Sequence, residues 1–422
     1  MKKILRIIFV WTLVSLLLQF GAYSLLNKQV ANVIAPKGDL NEPITRHLIA
    51  TIPGSNLKNI QISYAKDYLA YTENGALKVF NLTKERIVFE KKLPSTSDST
   101  MGVLAYQWLP DRDTLLYFYA KKNPNPVTYV TVQPSTPSTA TQTTPPVSTV
   151  QPQDLDLEDT NQNTNRDVPL EVPVEAKVEK RYGNPQITEL YTLELPSSDE
   201  DTTAPDDRFN KTIDTFPVGG KIEEFVVSTS TNLIYLTVKN VSTELLIEID
   251  VMKNVSIINQ SGETIDNMAA SNRYGTLYIN SKIGETQQII ALSTDKKRHV
   301  ISNNYYDRVI GLRDGKVYVG EIKNNRLIKI KTTVDSLDLT NNPSFKTEWE
   351  GSIPFKNIRA LIGSKDRVVI YNQSTAYIVT SGQSKEIKLS GEENYISDDG
   401  AELIELNRSG ISTVVELSPI TL

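Results

Sequence analysis

The chain contains no cysteine. That absence excludes disulfide staples, thiolate metal sites, cysteine nucleophiles and lipid attachment at cysteine together. Histidine occurs only at His47 and His299, which excludes most histidine-dependent catalysis. Charge is nearly balanced, with a formal net value of −5, so the basic field that nucleic-acid binders use is missing and no nucleic-acid partner is expected. Neither a Gly-x-Ser-x-Gly elbow, a Gly-rich phosphate loop nor a His-Glu-x-x-His helix is present. On these grounds no catalytic, cofactor-binding or metal-ligating residue is assigned, no cofactor is expected, and the chain is read as a non-enzyme.

One long uncharged run stands out, from Ile7 to Leu26, behind the basic start Met1-Lys2-Lys3-Ile4-Leu5-Arg6. Twenty residues at a rise of about 1.5 Å span a hydrocarbon core of about 30 Å. The run is longer than the core of a signal peptide, and Tyr23-Ser24-Leu25-Leu26-Asn27-Lys28 is a poor cleavage signal. Val33-Ile34-Ala35 is small enough, but Pro36 comes next and hinders cleavage there. The expectation is a basic cytoplasmic tail over 1–6, a single transmembrane anchor over 7–26 and a polar stalk over 27–46, with the rest of the chain outside the cell membrane. Cleavage would instead give a secreted form. Gln19 is read as a tolerated polar residue within the span.

Beyond the stalk the chain is rich in Val, Ile, Thr and Tyr, which suit a pleated, half-buried surface. A turn rich in Asp, Asn or Gly leading into an apolar strand recurs. It reads Glu73-Asn74-Gly75-Ala76-Leu77, Tyr274-Gly275-Thr276-Leu277-Tyr278, Arg313-Asp314-Gly315-Lys316-Val317 and Ser397-Asp398-Asp399-Gly400-Ala401. Several copies lie roughly 35–50 residues apart, the period of propeller blades. Units begin near Leu57, Val103, Ile222, Ile265, Val309, Ile358 and Asn394, which makes about seven, with six or eight open. The last unit supplies three strands where a blade needs four. The isolated strand His47-Leu48-Ile49-Ala50-Thr51-Ile52 is expected to fill the gap and close the ring. The fold expected is therefore all-β: about seven blades over 47–422, closed by an N-terminal strand and preceded by one transmembrane helix.

Within the second unit, 122–185 turns Pro/Thr/Ser-rich and then acidic, and is expected to be a disordered insertion between strands Leu115–Tyr119 and Gln186–Leu195. A second acidic loop runs from Ser197 through Asp207. Tyr71, Tyr117, Tyr235, Tyr278, Tyr318 and Tyr377 are read as packing between blades. Asp111, Asp314 and Asp398 are read as turn formers that cap their own backbone. The loop Asp335-Ser336-Leu337-Asp338-Leu339-Thr340-Asn341-Asn342 has loose calcium-loop spacing but lacks the Gly and distal Glu of an EF-hand, so it is read as polar. Lys296-Lys297-Arg298-His299 is a basic turn, read as solvated charge.

Gln107-Trp108-Leu109-Pro110-Asp111-Arg112-Asp113-Thr114-Leu115-Leu116-Tyr117 resembles the WD40-like repeat of TolB-like and dipeptidyl-peptidase-IV-type amino-terminal propellers, in which Trp-Ser-Pro-Asp-Gly precedes an apolar strand. Ile396-Ser397-Asp398-Asp399-Gly400-Ala401-Glu402-Leu403 is a second copy. Leu109 and Arg112 depart from the pattern. The resemblance covers about 47–420 and implies a partner-binding module or a gate without a hydrolase domain. The function expected is a membrane-anchored scaffold in a bacterial cell envelope that binds an extracytoplasmic protein or a wall polymer. The alternative is a propeller enzyme acting on glycans or peptides, which would need converging carboxylates in the channel.

If 7–26 stays as an anchor, the full chain should remain with membranes after a carbonate wash, and external protease should digest the propeller on intact cells. A soluble species beginning near Pro36 would overturn the anchor.

Overall fold

The repeats place large apolar residues on alternate positions, and such strands bury one side of each pleat against a neighbouring sheet. The computed structural model describes Gln19 and residues 47–94, 101–132, 177–196, 203–241 and 243–420. Among them lie seven four-stranded antiparallel sheets and one two-stranded ladder. The sheets cover 58–91, 102–122 with 186–212, 221–257, 263–302, 307–354, 359–388, and 393–419 with 48–53. Their inner strands are Lys58–Ile62, Gly102–Trp108, Lys221–Ser228, Glu263–Ala270, Asp307–Arg313, Arg359–Ile362 and Glu393–Ile396. Each starts within about two residues of the unit boundary expected from the sequence. Among the described residues no helix is long and apolar enough to cross a membrane. The expected anchor and stalk lie outside the described residues, Gln19 apart.

The sheets share their cores pairwise. Seven buried apolar clusters each join two consecutive blades, the last uniting Tyr395, Ile404, Leu406, Val415 and Leu417 of blade 7 with Ile60, Leu69, Tyr71 and Phe80 of blade 1. The ring is thus closed and seven-bladed. Leu48–Pro53 is the outer strand of blade 7, pairing antiparallel from Leu48↔Leu417 to Pro53↔Ser412. Gly54 N–H donates to the Ile411 carbonyl (3.0 Å), and Thr413 Oγ1 donates to the Gly54 carbonyl (2.7 Å). At the same seam the buried Lys66 ammonium lies 2.6 Å from Asp399 Oδ2 and 2.9 Å from Glu402 Oε2. Burial pulls Lys66 down, but the two carboxylates outweigh it and hold the ammonium above its ordinary range.

Second-strand tyrosines fill the seams, as expected, and four of their hydroxyls donate to the next blade. Tyr68 donates to the Pro196 carbonyl (2.6 Å), Tyr235 to Gly275 (2.7 Å), Tyr278 to Asp335 Oδ1 (2.9 Å) and Tyr318 to Asp366 Oδ1 (2.6 Å). Tyr117 instead bonds Asp207 of its own blade, and Tyr377 lies on the third strand of blade 6. Gly275 has φ +71, and a Cβ there would lie 2.8 Å from Leu233 Cδ1. Only glycine lets that turn approach Tyr235. Between blades 1 and 2 the Lys91 ammonium stands 3.9 Å from the ring centre of Tyr191, over Tyr117 and Tyr119 as well, and 3.0 Å from Asp207 Oδ2. Blades 6 and 7 share the smallest cluster, and there Asn394 bonds Gln373 through both its backbone N–H and its side-chain amide (2.7 Å each).

Blade 2 differs from the sequence reading in three places. Its second and third strands, Thr114–Lys122 and Gln186–Glu194, are partners as expected, but Lys122 belongs to the ladder opposite Gln186 rather than to the insertion. The insertion, expected to lack structure throughout 122–185, instead pairs its two ends as Val127–Val132 with Lys177–Tyr182, in a separate unit of residues 123–185. The β-branched and aromatic run Val127-Thr128-Tyr129-Val130-Thr131-Val132 outweighs the Pro/Ser/Thr composition around it. Its middle, 133–176, lies outside the described residues. The acidic loop also ends earlier than expected, because Asp206 and Asp207 open the outer strand Asp206–Thr212.

Replacing 123–185 with an Asn-Gly turn keeps every rung of the Thr114–Lys122/Gln186–Glu194 ladder. The shortened chain should melt cooperatively, at or a few degrees above the parent. About five halvings of loop length, at about 0.6 kcal/mol each, lower the closure cost by at most about 3 kcal/mol. Loss of the cooperative transition would mean that blade 2 needs the insertion to fold.

Candidate functional site: the channel wall and its rims

Between the inner strand and its neighbour the ladder slips in five blades, at Lys58/Gln61, Val103/Ala105, Ile222/Glu224, Ile265/Met268 and Val309/Gly311. Such bulges bend the strand and re-aim a side chain. In blades 3 and 4 polar residues at these bulges meet from one inner strand to the next, whereas the bulged residue of blade 5 is the buried Ile310. With its side-chain amide oriented so that both N and O find partners, Asn267 donates to the Asp266 carbonyl (2.8 Å) and to Glu224 Oε1 (3.0 Å). The Met268 N–H also donates to Glu224. In blade 5 Arg308 Nη1 donates to the carbonyls of Tyr305 (2.7 Å) and Asp307 (2.9 Å). Burial pulls the Arg308 guanidinium down, with Asp266 opposing.

Glu224 is the most perturbed carboxyl of this group. Burial pushes it up to about 8, Asp266 and Glu223 add to the rise, and the Met268 N–H works against it. A carboxyl held neutral near pH 7 donates a hydrogen bond where its ionised form only accepts. Sequence reasoning missed Glu224, because the bulge that aims it is a pairing feature without a residue signature.

The residues singled out from the sequence are mostly committed to seams. Asp335 of the calcium-like loop is buried, accepting from Ser271 Oγ (2.6 Å) and Tyr278 OH. Asn341 Oδ1 accepts from Val300 N–H (2.9 Å), and Asn342 N–H donates to the Val300 carbonyl (2.7 Å). The loop is therefore a strap between blades 4 and 5. The basic turn is engaged in ion pairs: Lys296 with Glu248, Lys297 with Asp295, and Arg298 with the buried Glu263. Of the three turn aspartates, Asp314 fits its role through φ +50 in the tight Asp314-Gly315 turn. Asp111 pairs with Arg112 instead, and its neighbour Asp113 accepts from Ala65 N–H (2.8 Å) of blade 1. In the last turn Asp399, not Asp398, accepts from Ser397 Oγ (2.6 Å) and Ala401 N–H (3.2 Å). Adjacent aspartates look alike in sequence, and only the seam decides between them. Among the described residues no group of three or more His, Asp or Glu is placed to hold a metal ion.

No protein-family model matches the chain, and no curated protein matches it. It is similar to solved propellers. The Cps50 (Swd1) β-propeller domain from Myceliophteria thermophila matches with TM-score 0.46 at 10% identity, over 90% of this chain and 100% of that one. A prolyl endopeptidase matches at 0.44 and 12%, over 83% of this chain and 46% of that one. TolB from Acinetobacter baumannii, the kind of protein that Gln107–Tyr117 resembles, matches at 0.36 and 9%, over 88% and 80%. These likenesses carry no function, and the fold itself rests on the seven ladders and their shared cores.

A carboxyl whose folded value lies above its unfolded one contributes stability that is full below the unfolded value. That contribution disappears as pH rises through the folded value. For Glu224 the window runs from the ordinary glutamate value to about 8. Between about pH 5 and about pH 9, parent stability should fall more than that of Glu224→Gln. The excess should be roughly 1–3 kcal/mol, since a tenfold change in an acid constant is worth about 1.4 kcal/mol before solvent screening reduces it. Parallel pH–stability curves, measured by denaturant melts, would rule the assignment out.

Proposed function

We propose that the chain is a membrane-anchored, extracytoplasmic and non-enzymatic scaffold that holds a protein or wall-polymer partner over one rim of its channel. The observation that carries this reading is an exposed aromatic pair beside the polar channel wall. Tyr305 and Tyr306 are 55% and 42% exposed, stack edge to face with ring centres 5.6 Å apart, and sit on the connection leading into the inner strand of blade 5. Their placement is fixed: the Tyr305 carbonyl takes Arg308, the Tyr306 carbonyl accepts from Ile322 N–H (2.8 Å), and Lys323 lies 4.8 Å over the Tyr306 ring. Exposed tyrosines with a nearby arginine are what anchor residues of interfaces consist of. Rigid blades supply the preorganisation that lowers the entropic cost of binding.

A second reading, a propeller enzyme acting on glycans or peptides, draws on Glu224, whose raised carboxyl has the character of a general acid. The two readings separate in one set of measurements. For the scaffold, Tyr305→Ala/Tyr306→Ala should reduce recovery of a co-purifying envelope component from solubilised membranes at least about tenfold, the size of a hot-spot loss, with the melting temperature unchanged. Glu224→Gln should leave that recovery intact. Turnover of a glycan or peptide library that Glu224→Gln abolishes would replace the scaffold with the enzyme.

A further inference from the structure

Blade 5 carries a built cavity away from the channel rim just described. Its first turn, Asp314-Gly315, and the long connection 335–345 between its third and outer strands leave the same end of the sheet, joined by Asp335 N–H to the Gly315 carbonyl (2.8 Å). The Tyr305-Tyr306 connection lies at the opposite end, since successive turns of an antiparallel sheet alternate ends. Under the connection 335–345 lies a cavity of about 510 Å3, within the range of small-molecule sites. The strap over it is tied at both ends: Asp335 to Ser271 and Tyr278, Asn341 and Asn342 to Val300.

We propose that this cavity binds a neutral saccharide unit. Its two cations are already compensated, so no free cation attracts an anion, and the exposed Asp338 carboxylate repels one. Lys316 Nζ lies 2.7 Å from both carboxylate oxygens of Asp366, and Lys346 Nζ lies 2.9 Å from Glu348 Oε2. Asp338 apart, the remaining lining has two characters. Thr333, Thr340 and Ser344 present hydroxyls that both donate and accept, while Leu339, Pro343 and Phe345 supply apolar surface and a ring. A sugar ring has the same division, with hydroxyls around its edge and C–H groups on its faces. The site sits on strands and a strapped loop, so its geometry is preformed. The inference rests on reading the domain as a binding scaffold, and it names the ligand chemistry of one surface of it.

The test is isothermal titration of the purified full chain, in a detergent without a sugar headgroup, with chitotetraose, cellotetraose and maltotetraose. At least one should bind with a Kd on the order of 0.1 mM, and raising the salt severalfold should change that Kd by less than about twofold, because no ion pair forms with the ligand. Ser344→Trp, at an exposed position of the lining, should plug the cavity and weaken binding at least about tenfold without shifting the melting temperature. If that variant does not fold, Thr340→Trp carries the same expectation. No binding of any of the three up to about 10 mM, a strong salt dependence, or binding that survives the tryptophan would each overturn the proposal. None of these outcomes reads the Tyr305-Tyr306 rim, so the saccharide site and the partner rim fail separately.

Discussion

The antiparallel pairing of Leu48–Pro53 with the strand Ser412–Pro419 joins the two ends of the ring, and every other seam relies on it. A blade in a ring has two neighbours, and each neighbour buries one of its faces. Were the ring open, blades 1 and 7 would each expose the apolar face that now forms the cluster around Tyr71, Phe80 and Leu417. Each large apolar side chain left in water there forfeits about 1.5–3 kcal/mol. The outer strand drawn from the start of the domain couples the two termini, so neither end frays without cost to the other. Lys66 tightens the same seam by meeting two carboxylates at once. Removing one member would leave the remaining charge buried, which is worse than having neither.

Seam by seam, the ring uses one device with variations. A second-strand tyrosine lays its ring in the apolar core and gives its hydroxyl to the next blade. The ring supplies area, and the hydroxyl supplies direction, because a buried phenol without a partner costs about 1–3 kcal/mol. Between blades 6 and 7 Tyr371 likewise meets the Ile396 backbone, and Asn394 adds two bonds to Gln373.

The architecture was legible because it depends on repetition. Alternating apolar strands and Asp/Asn/Gly turns at blade spacing mark the sheets, and the three-strand count after Asn394 marks the closing strand. Contacts across seams were illegible for a physical reason: they join residues whose sequence separation has no period. In sequence Asp335 is one more polar loop residue, yet it meets Tyr278 and Ser271, and Asp207 is acidic spacer, yet it meets Lys91 and Tyr117. A hydroxyl expected in the core is the one signal that calls for such partners. The ends of the insertion misled for a different reason, since a six-residue β-forming run is averaged into the composition of a long tract.

The same pairing of charges bears on function. Lys296, Lys297 and Arg298 of the basic turn, with Lys66, Lys91, Lys316 and Lys331, all meet carboxylates of this chain. Lys66, Lys91, Lys296 and Lys316 pair across neighbouring blades, while Lys297, Arg298 and Lys331 pair within their own. The two surfaces proposed above for binding are the aromatic Tyr305-Tyr306 pair at one end of blade 5 and the hydroxyl-bearing cavity beneath 335–345 at the other. Recognition by such surfaces is short-range and weakly dependent on salt. The rigidity that the internal ion pairs give therefore suits the kind of binding that the remaining surface offers, in which fit counts for more than attraction at a distance.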